Sequence, residues 1–221
     1  VVRDGRAAGV RLAGGETFAA DAVVFNGDAT ALAEGLLGAQ VQDATRPTPR
    51  ARRSLSAMTW AVHARARGFP LTHHNVFFDA DYASEFDDIF RQRRLPRRGT
   101  VYVCAQDRGD AGVPPAGAER LLCLVNAPAD GDACPVDPSE IERCETTSFE
   151  LLARCGLTVD RSAANTVRTT PADFHQRYPA TGGALYGAAS HGWMALFRRS
   201  GAASALPGLY LAGGSVHPGP G

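Results

Sequence analysis

Apolar residues in this chain come in short runs, cut apart by glycine, proline and acidic turns, a pattern of many short strands and few long helices. At the start, Asp4-Gly5 and Gly14-Gly15 are turn signals. They separate Val1-Val2, Gly9–Leu12 and Glu16–Ala20, so residues 1–26 are predicted to form a β-meander. Ala22–Phe25 is continuously apolar, as expected of a strand buried on both faces. Asn26-Gly27-Asp28 ends it, and Asp28 or Thr30 caps a short helix carrying Leu32, Leu36 and Leu37.

Residues 40–53 are polar, with Pro47, Pro49 and several arginines, and read as a linker. Strands are predicted over 54–65, 75–78, 100–104 and 121–125, and Tyr82, Phe86, Ile89 and Phe90 share one helical face. Asp137-Pro-Ser-Glu140 is a capping box with proline in the first turn. It opens a helix that presents Ile141, Cys144, Ser148, Leu152 and Cys155 on one face and stops at Gly156. Thr170-Pro-Ala-Asp173 repeats the start signal for a shorter helix halted by Pro179.

Near the other end, Leu209–Ala212 is a short apolar strand entering a loop with Gly213, Gly214, Gly219 and Gly221. Glycines after a strand let backbone come close to a ligand, because no Cβ intervenes. The two ends therefore read as parts of one cofactor-holding layer and the middle as an insertion. The expected fold is α/β (α+β mixed): a discontinuous layer from residues 1–38 and 205–221, and an inserted mixed-sheet substrate domain over 39–204. Val1 is no initiator methionine, and the reading expects a portion of a larger protein.

Composition narrows the chemistry. The formal net charge is zero, so no global field draws the chain to nucleic acid. Every basic residue other than histidine is arginine. Cys104, Cys123, Cys134, Cys144 and Cys155 are odd in number and form no C-x-x-C pair, which fits a reducing cytoplasm better than a disulfide or zinc framework. No apolar run approaches the ~18 residues that cross a bilayer. No Ser/His/Asp order or H-E-x-x-H motif stands out.

Several stretches together resemble one family. Asp21–Asp28, the run Thr170–Phe174 with Tyr178-Pro179 and Gly182–Gly187, and the tail 208–221 are similar to the carotenoid (phytoene-type) desaturases of the flavin amine oxidase-like superfamily. Residues 54–60, 73–78 and 100–108 most resemble its hydroxycarotenoid 3,4-desaturases, also called methoxyneurosporene dehydrogenases. The resemblance implies FAD as cofactor and a carotenoid as substrate, desaturated at a C–C bond (1-hydroxycarotenoid 3,4-desaturation) by hydride transfer to flavin. Such a C–H is not acidic and no side chain accepts a hydride, so the redox group must be a cofactor. The resemblance assigns cofactor contact to Asn26, Asp28, Gly213, Gly214, Ser215, His217, Pro218 and Gly219, and cavity lining to Gly183, Leu185, Tyr186, Gly187 and Trp193. No catalytic residue is assigned. Another FAD oxidoreductase of the superfamily, or a non-catalytic isoprenoid-binding module, stays open at this point.

A water-insoluble substrate implies cytoplasmic, peripheral contact with the inner (photosynthetic) membrane. The arginine clusters 46, 50, 52, 53 and 91, 93, 94, 97, 98 offer cations for anionic lipid. Adjacent strand residues point to opposite faces, so His73-His74 is not expected to share an ion and no metal is expected.

Overall fold

The computed structural model describes residues 1–109, 113–134, 136–189 and 199–219. The chain divides into two compact units, one from Val1–Leu55 with His175–Gly221 and one from Ser56–Phe174.

The second unit is a sheet with one long helix. Its strands are β6 (Ser56–Ala64), β8 (His74–Phe77), β9 (Val101–Ala105), β10 (Glu119–Ala127) and β12 (Thr166–Thr169), in the order β12-β6-β10-β9-β8. Every pairing is antiparallel, so the expected mixed sheet is not found. The reason lies in the connections. β9 runs to β10 by a direct return, and the chain then carries helix α3 (Pro138–Arg154) before β12 joins the free side of β6. Period-2 alternation puts Trp60, Val62, Leu121, Cys123, Val101 and Val103 in the core. Helix α3 covers them with Cys144, Ser148, Leu151 and Leu152. Trp60 is fully buried, meets Phe149 edge-on at 5.6 Å, and donates its indole N–H to Glu145 Oε2 at 3.0 Å.

Asp137 caps α3 by accepting from Ser139 N–H, but the reciprocal capping box does not close, because the Glu140 carboxylate accepts from Leu95 N–H at 2.7 Å instead. Cys155, expected on the buried face, is exposed because it already lies at the C-cap, where the backbone leaves the helix. Leu151 takes the buried position instead. Helix α2 (Tyr82–Phe86) continues into a π-turn over Asp87–Arg91. The wider turn separates the expected face: Ile89 is fully buried, while Tyr82 and Phe90 are exposed. A small ladder joins β7 (Ala66–Arg67) to β11 (Thr158–Val159).

In the first unit, β1 (Val2–Arg3) pairs β2 (Arg6–Ala7), and β3 (Gly9–Arg11) pairs β4 (Thr17–Ala19). These are two separate hairpins, not one meander, since only Ala8 lies between β2 and β3 and leaves no room for a turn. Strand β5 (Val23–Phe25) leaves them and pairs in parallel with β13 (Leu209–Leu211), Phe25 opposite Leu211. Val24 is 65% exposed, so burial on both faces does not hold: β5 packs only Val23 and Phe25 against its cluster. Helix α1 (Ala29–Ala33) follows, with Asp28 as its N-cap.

Residues 40–53 are not a loose linker. They form two 3₁₀ turns, Ala39–Ala44 and Arg50–Arg52, and Ala44 is buried and accepts from Ala205 N–H at 2.8 Å. Residues 52–55 also run beside 185–189, which carries both segments into the first unit. The compact units therefore break at 55/56 and 174/175, inside the interval 39–204 drawn from composition. Helix α4 (Pro171–Arg177) spans the second of these breaks.

Candidate functional site

Two parallel strands, β5 and β13, end side by side, and a glycine-containing loop follows each. Ligands of open α/β layers settle outside the carboxyl ends of such strands. Ala212 N–H donates to Phe25 O at 3.0 Å and carries the parallel pairing one step into the loops. Beyond it, the Gly213 Cα faces Asn26, whose Nδ2 lies 3.5 Å from where a Cβ would stand. Gly213 has φ +113, a conformation that a side chain would strain.

Asp28 has two tasks. Its Oδ1 accepts from Thr30 N–H at 2.8 Å, which satisfies the start of α1. Its Oδ2 is turned toward Gly187, 3.5 Å from the site of a Cβ there. The same Cβ would stand 2.6 Å from Ser215 Cβ, so only glycine lets the two loops touch. Ser215 Oγ in turn accepts from Ala29 N–H at 3.3 Å. Asn26, Asp28, Gly187, Gly213 and Ser215 thus meet in one place, although they come from three separate segments.

Gly214 is held there by Arg199. Its guanidinium is buried and donates to the carbonyls of Gly214 and Tyr186 at 2.8 Å each and of Ala188 at 2.6 Å. Sequence reasoning missed this residue, because one arginine among many in an arginine-only chain carries no distinguishing pattern. Gly219 packs beside the same guanidinium, 3.3 Å from Cζ at its would-be Cβ. His217 and Pro218 are exposed, with His217 N–H donating to Ser200 O at 2.8 Å.

The residues expected to line a cavity are divided. Gly183 is buried and donates its N–H to Thr181 Oγ1 at 3.0 Å. Leu185 and Tyr186 run along residues 54–55, with Leu185 N–H on Leu55 O and Tyr186 N–H on Ser54 Oγ, both at 3.0 Å. Tyr186 is 47% exposed, open to a ligand and not packed in a core. Trp193 lies outside the described residues. A cleft of about 950 Å³ adjoins the loops, lined among others by Ala29, Ser215, Ala188, Arg46 and Arg52.

The glycine loops and the arginine-bearing cleft beside them together fit a large anionic cofactor. Glycine backbone admits a planar or phosphorylated group at close range, and the arginines supply positive charge.

The expected arginine patch at 91–98 is largely neutralised. Arg93 pairs with Asp130, Arg94 and Arg97 with Asp88, Arg91 with Asp87 and Arg98 with Asp79. Aromatics lie beside it: exposed Phe78, Tyr82 and Phe90 and half-buried Phe86 meet in succession along the chain at centroid distances of 5.8, 5.0 and 6.1 Å. No helix among the described residues is long and apolar enough to cross a membrane.

The premise about His73-His74 also fails. His73 precedes β8, so strand alternation does not govern it, and the two rings lie 4.4 Å apart between centroids.

Comparison with known proteins identifies the family. The family model for flavin-containing amine oxidoreductases matches residues 1–219. The chain is 66% identical over its whole length to a hydroxyneurosporene desaturase of Rubrivivax gelatinosus, covering 42% of that protein. It is 44% identical, over 98% of the chain and 43% of the relative, to a hydroxyneurosporene desaturase of Cereibacter sphaeroides. It is 32% identical, over 93% of the chain and 42% of the relative, to a 1-hydroxycarotenoid 3,4-desaturase of a Flavobacterium. The chain therefore spans about two fifths of the length of these relatives.

Proposed function

This chain belongs to the flavin-containing amine oxidoreductase family, whose cofactor is FAD, and on that footing we propose that its protein desaturates a carotenoid C–C bond. The observation that carries the reading is the 66% identity across the entire chain to a hydroxyneurosporene desaturase. A hydroxylated carotenoid is accordingly the proposed substrate, with 3,4-desaturation of a 1-hydroxycarotenoid as the reaction.

Bound FAD supplies the hydride acceptor that an unactivated C–H requires. The chain's own residues supply position. Gly213 and Gly214 bring backbone to the cofactor without a Cβ between, and Arg199 fixes the loop carrying them. Asn26 and Ser215 stand at the strand ends as polar contacts, while Asp28 keeps the loop 26–28 in shape through Thr30. His217, Pro218 and Gly219 form the outer part of the same loop. Gly183, Leu185, Tyr186 and Gly187 border the substrate, and the apolar side of Leu185 and the Tyr186 ring suit a polyene better than a charged amine.

Carotenoid arrives from lipid, so the protein is proposed to work peripherally on the bilayer that holds it. The exposed aromatics Phe78, Tyr82 and Phe90 support this more than the paired arginines beside them do.

The test uses the whole protein, reconstituted with FAD and given hydroxyneurosporene in liposomes. One added conjugated double bond is expected to move the polyene absorption to longer wavelength. A flavin-loaded protein that leaves the carotenoid unchanged and oxidises an amine would refute the reading.

A further inference from the structure

His73, His74 and Cys104 stand together at the edge of the five-stranded sheet. We propose that these three residues bind a zinc ion. Their donor atoms all lie within 4.8 Å of one another, and among the described residues no other trio of His, Cys, Asp or Glu comes as close. One thiol and two imidazoles are the donor set that selects Zn²⁺ over Mg²⁺ or Ca²⁺.

The geometry is close to what the ion needs. Cys104 Sγ and His73 Nε2 are 3.6 Å apart. A tetrahedral ion bonded at ~2.3 Å to sulfur and ~2.05 Å to nitrogen spans an S···N edge of about 3.6 Å. With no ion, the same separation is a weak S–H···N hydrogen bond.

The surroundings set the rings for ligation. His73 Nδ1 lies 2.9 Å from Arg108 O. A carbonyl only accepts, so Nδ1 carries the proton and Nε2 turns its lone pair toward the thiol. Metal-bound histidines commonly use their second nitrogen in this way. That carbonyl is itself immobilised: the Arg108 guanidinium is buried and donates to Glu119 at 2.8 and 2.6 Å and to Leu71 O at 3.2 Å. His74 Nδ1 is paired with Tyr102 Oη at 2.7 Å, which orients the second ring.

Strand register brings the ligands together, since His74 and Cys104 are direct partners between β8 and β9. His74 is exposed, so the ion has an entry path, and water takes the fourth position. Binding breaks the Cys104 S–H bond, forms the S–Zn bond and releases one proton to solvent, with no change of oxidation state. Two other thiols do not compete, because burial pushes Cys123 and Cys144 up to about 12.

The proposal is tested on the whole protein with Zn²⁺ and Co²⁺ as probes. Cys134→Ser and Cys155→Ser form the background, since both thiols are exposed. One equivalent of Zn²⁺ per chain is expected in competition with a chromophoric chelator. Co²⁺ is expected to show intense tetrahedral bands and a thiolate charge-transfer band. Cys104→Ser and His74→Ala are each expected to weaken Zn²⁺ binding by more than about tenfold, the loss that even an outer partner can produce. His74 is exposed, so its variant keeps the test decisive if Cys104→Ser fails to fold. Substoichiometric binding, a Co²⁺ spectrum without the thiolate band, or unchanged affinity in His74→Ala would overturn the proposal.

Discussion

Gly187 shows how one missing methyl group can hold a site together. Its φ of +64 and its approach to Ser215 both exclude a Cβ. Gly187→Ala is expected to destabilise the protein by roughly 1–3 kcal/mol. In the whole protein it is also expected to lower the flavin retained per chain, read from absorbance after gel filtration. Glu119 tests a different kind of residue. It is buried with Arg108 in a two-point ion pair, and its hydrogen bonds raise the Arg108 guanidinium above its ordinary value while burial opposes them. Glu119→Gln leaves the guanidinium half-matched in the core, and urea melts are expected to show a loss of about 3 kcal/mol or more. Sequence made the local form of the tail legible, since the short apolar run is the strand Leu209–Leu211 and Gly213 takes a positive φ just after it. It left Arg199 and the Arg108–Glu119 pair invisible, since neither a partner 11 residues away nor a set of three carbonyl acceptors leaves a local pattern. The same limit misled the reading of His73: alternation is a rule for residues inside a strand, and this one stands just before it.

Among the elements, the long helix was the most legible. Asp137 and Pro138 announce its start chemically, and its buried positions follow the 3.6-residue period up to Leu152. Edges were less legible. Val24 has the composition of a core strand, yet burial depends on what packs above it, which periodicity does not report. The π-turn after α2 was also hidden, and Asp88 explains why it exists. Its buried carboxylate accepts from Arg94 Nε at 2.8 Å and Arg97 N–H at 3.0 Å, fastening the turn to the segment after it. Burial raises this carboxyl, but the hydrogen bonds from Arg97 and Arg94 together outweigh it and hold it below its ordinary value of 3.8. A carboxyl lowered by folding stabilises the protein fully above its unfolded value, and that contribution fades as pH falls through the folded one. Stability is therefore expected to drop as pH is lowered below about 4, and Asp88→Asn is expected to flatten that part of the curve while lowering stability at neutral pH. Urea midpoints at a series of pH values check both.

At the scale of the whole molecule, the pattern of short strands and glycines at both ends of the chain was readable from the sequence. The placement of the breaks was not, since residues 40–53 look solvated and yet pack through Ala44 and Arg53. Charge was the least reliable guide: the arginine run 91–98 reads as a patch, but the aspartates that quench it come from Asp79, Asp87, Asp88 and Asp130. Lipid contact is thus expected to depend on aromatic rings. Phe78→Ser with Tyr82→Ser is expected to reduce sedimentation with liposomes several-fold, whereas Arg91→Ser, whose charge is already paired, is expected to leave it nearly unchanged.

The parallel pairing of β5 with β13 has a bearing on biosynthesis. Partners on these two strands lie 186 positions apart, as Phe25 and Leu211 do. At a translation rate of about 5–20 residues per second, the early strand emerges roughly 10–40 s before its mate. Throughout that interval its hydrogen-bonding edge and the apolar Val23 and Phe25 lack their eventual cover, which makes the nascent chain a client for holdase chaperones until the late strand arrives.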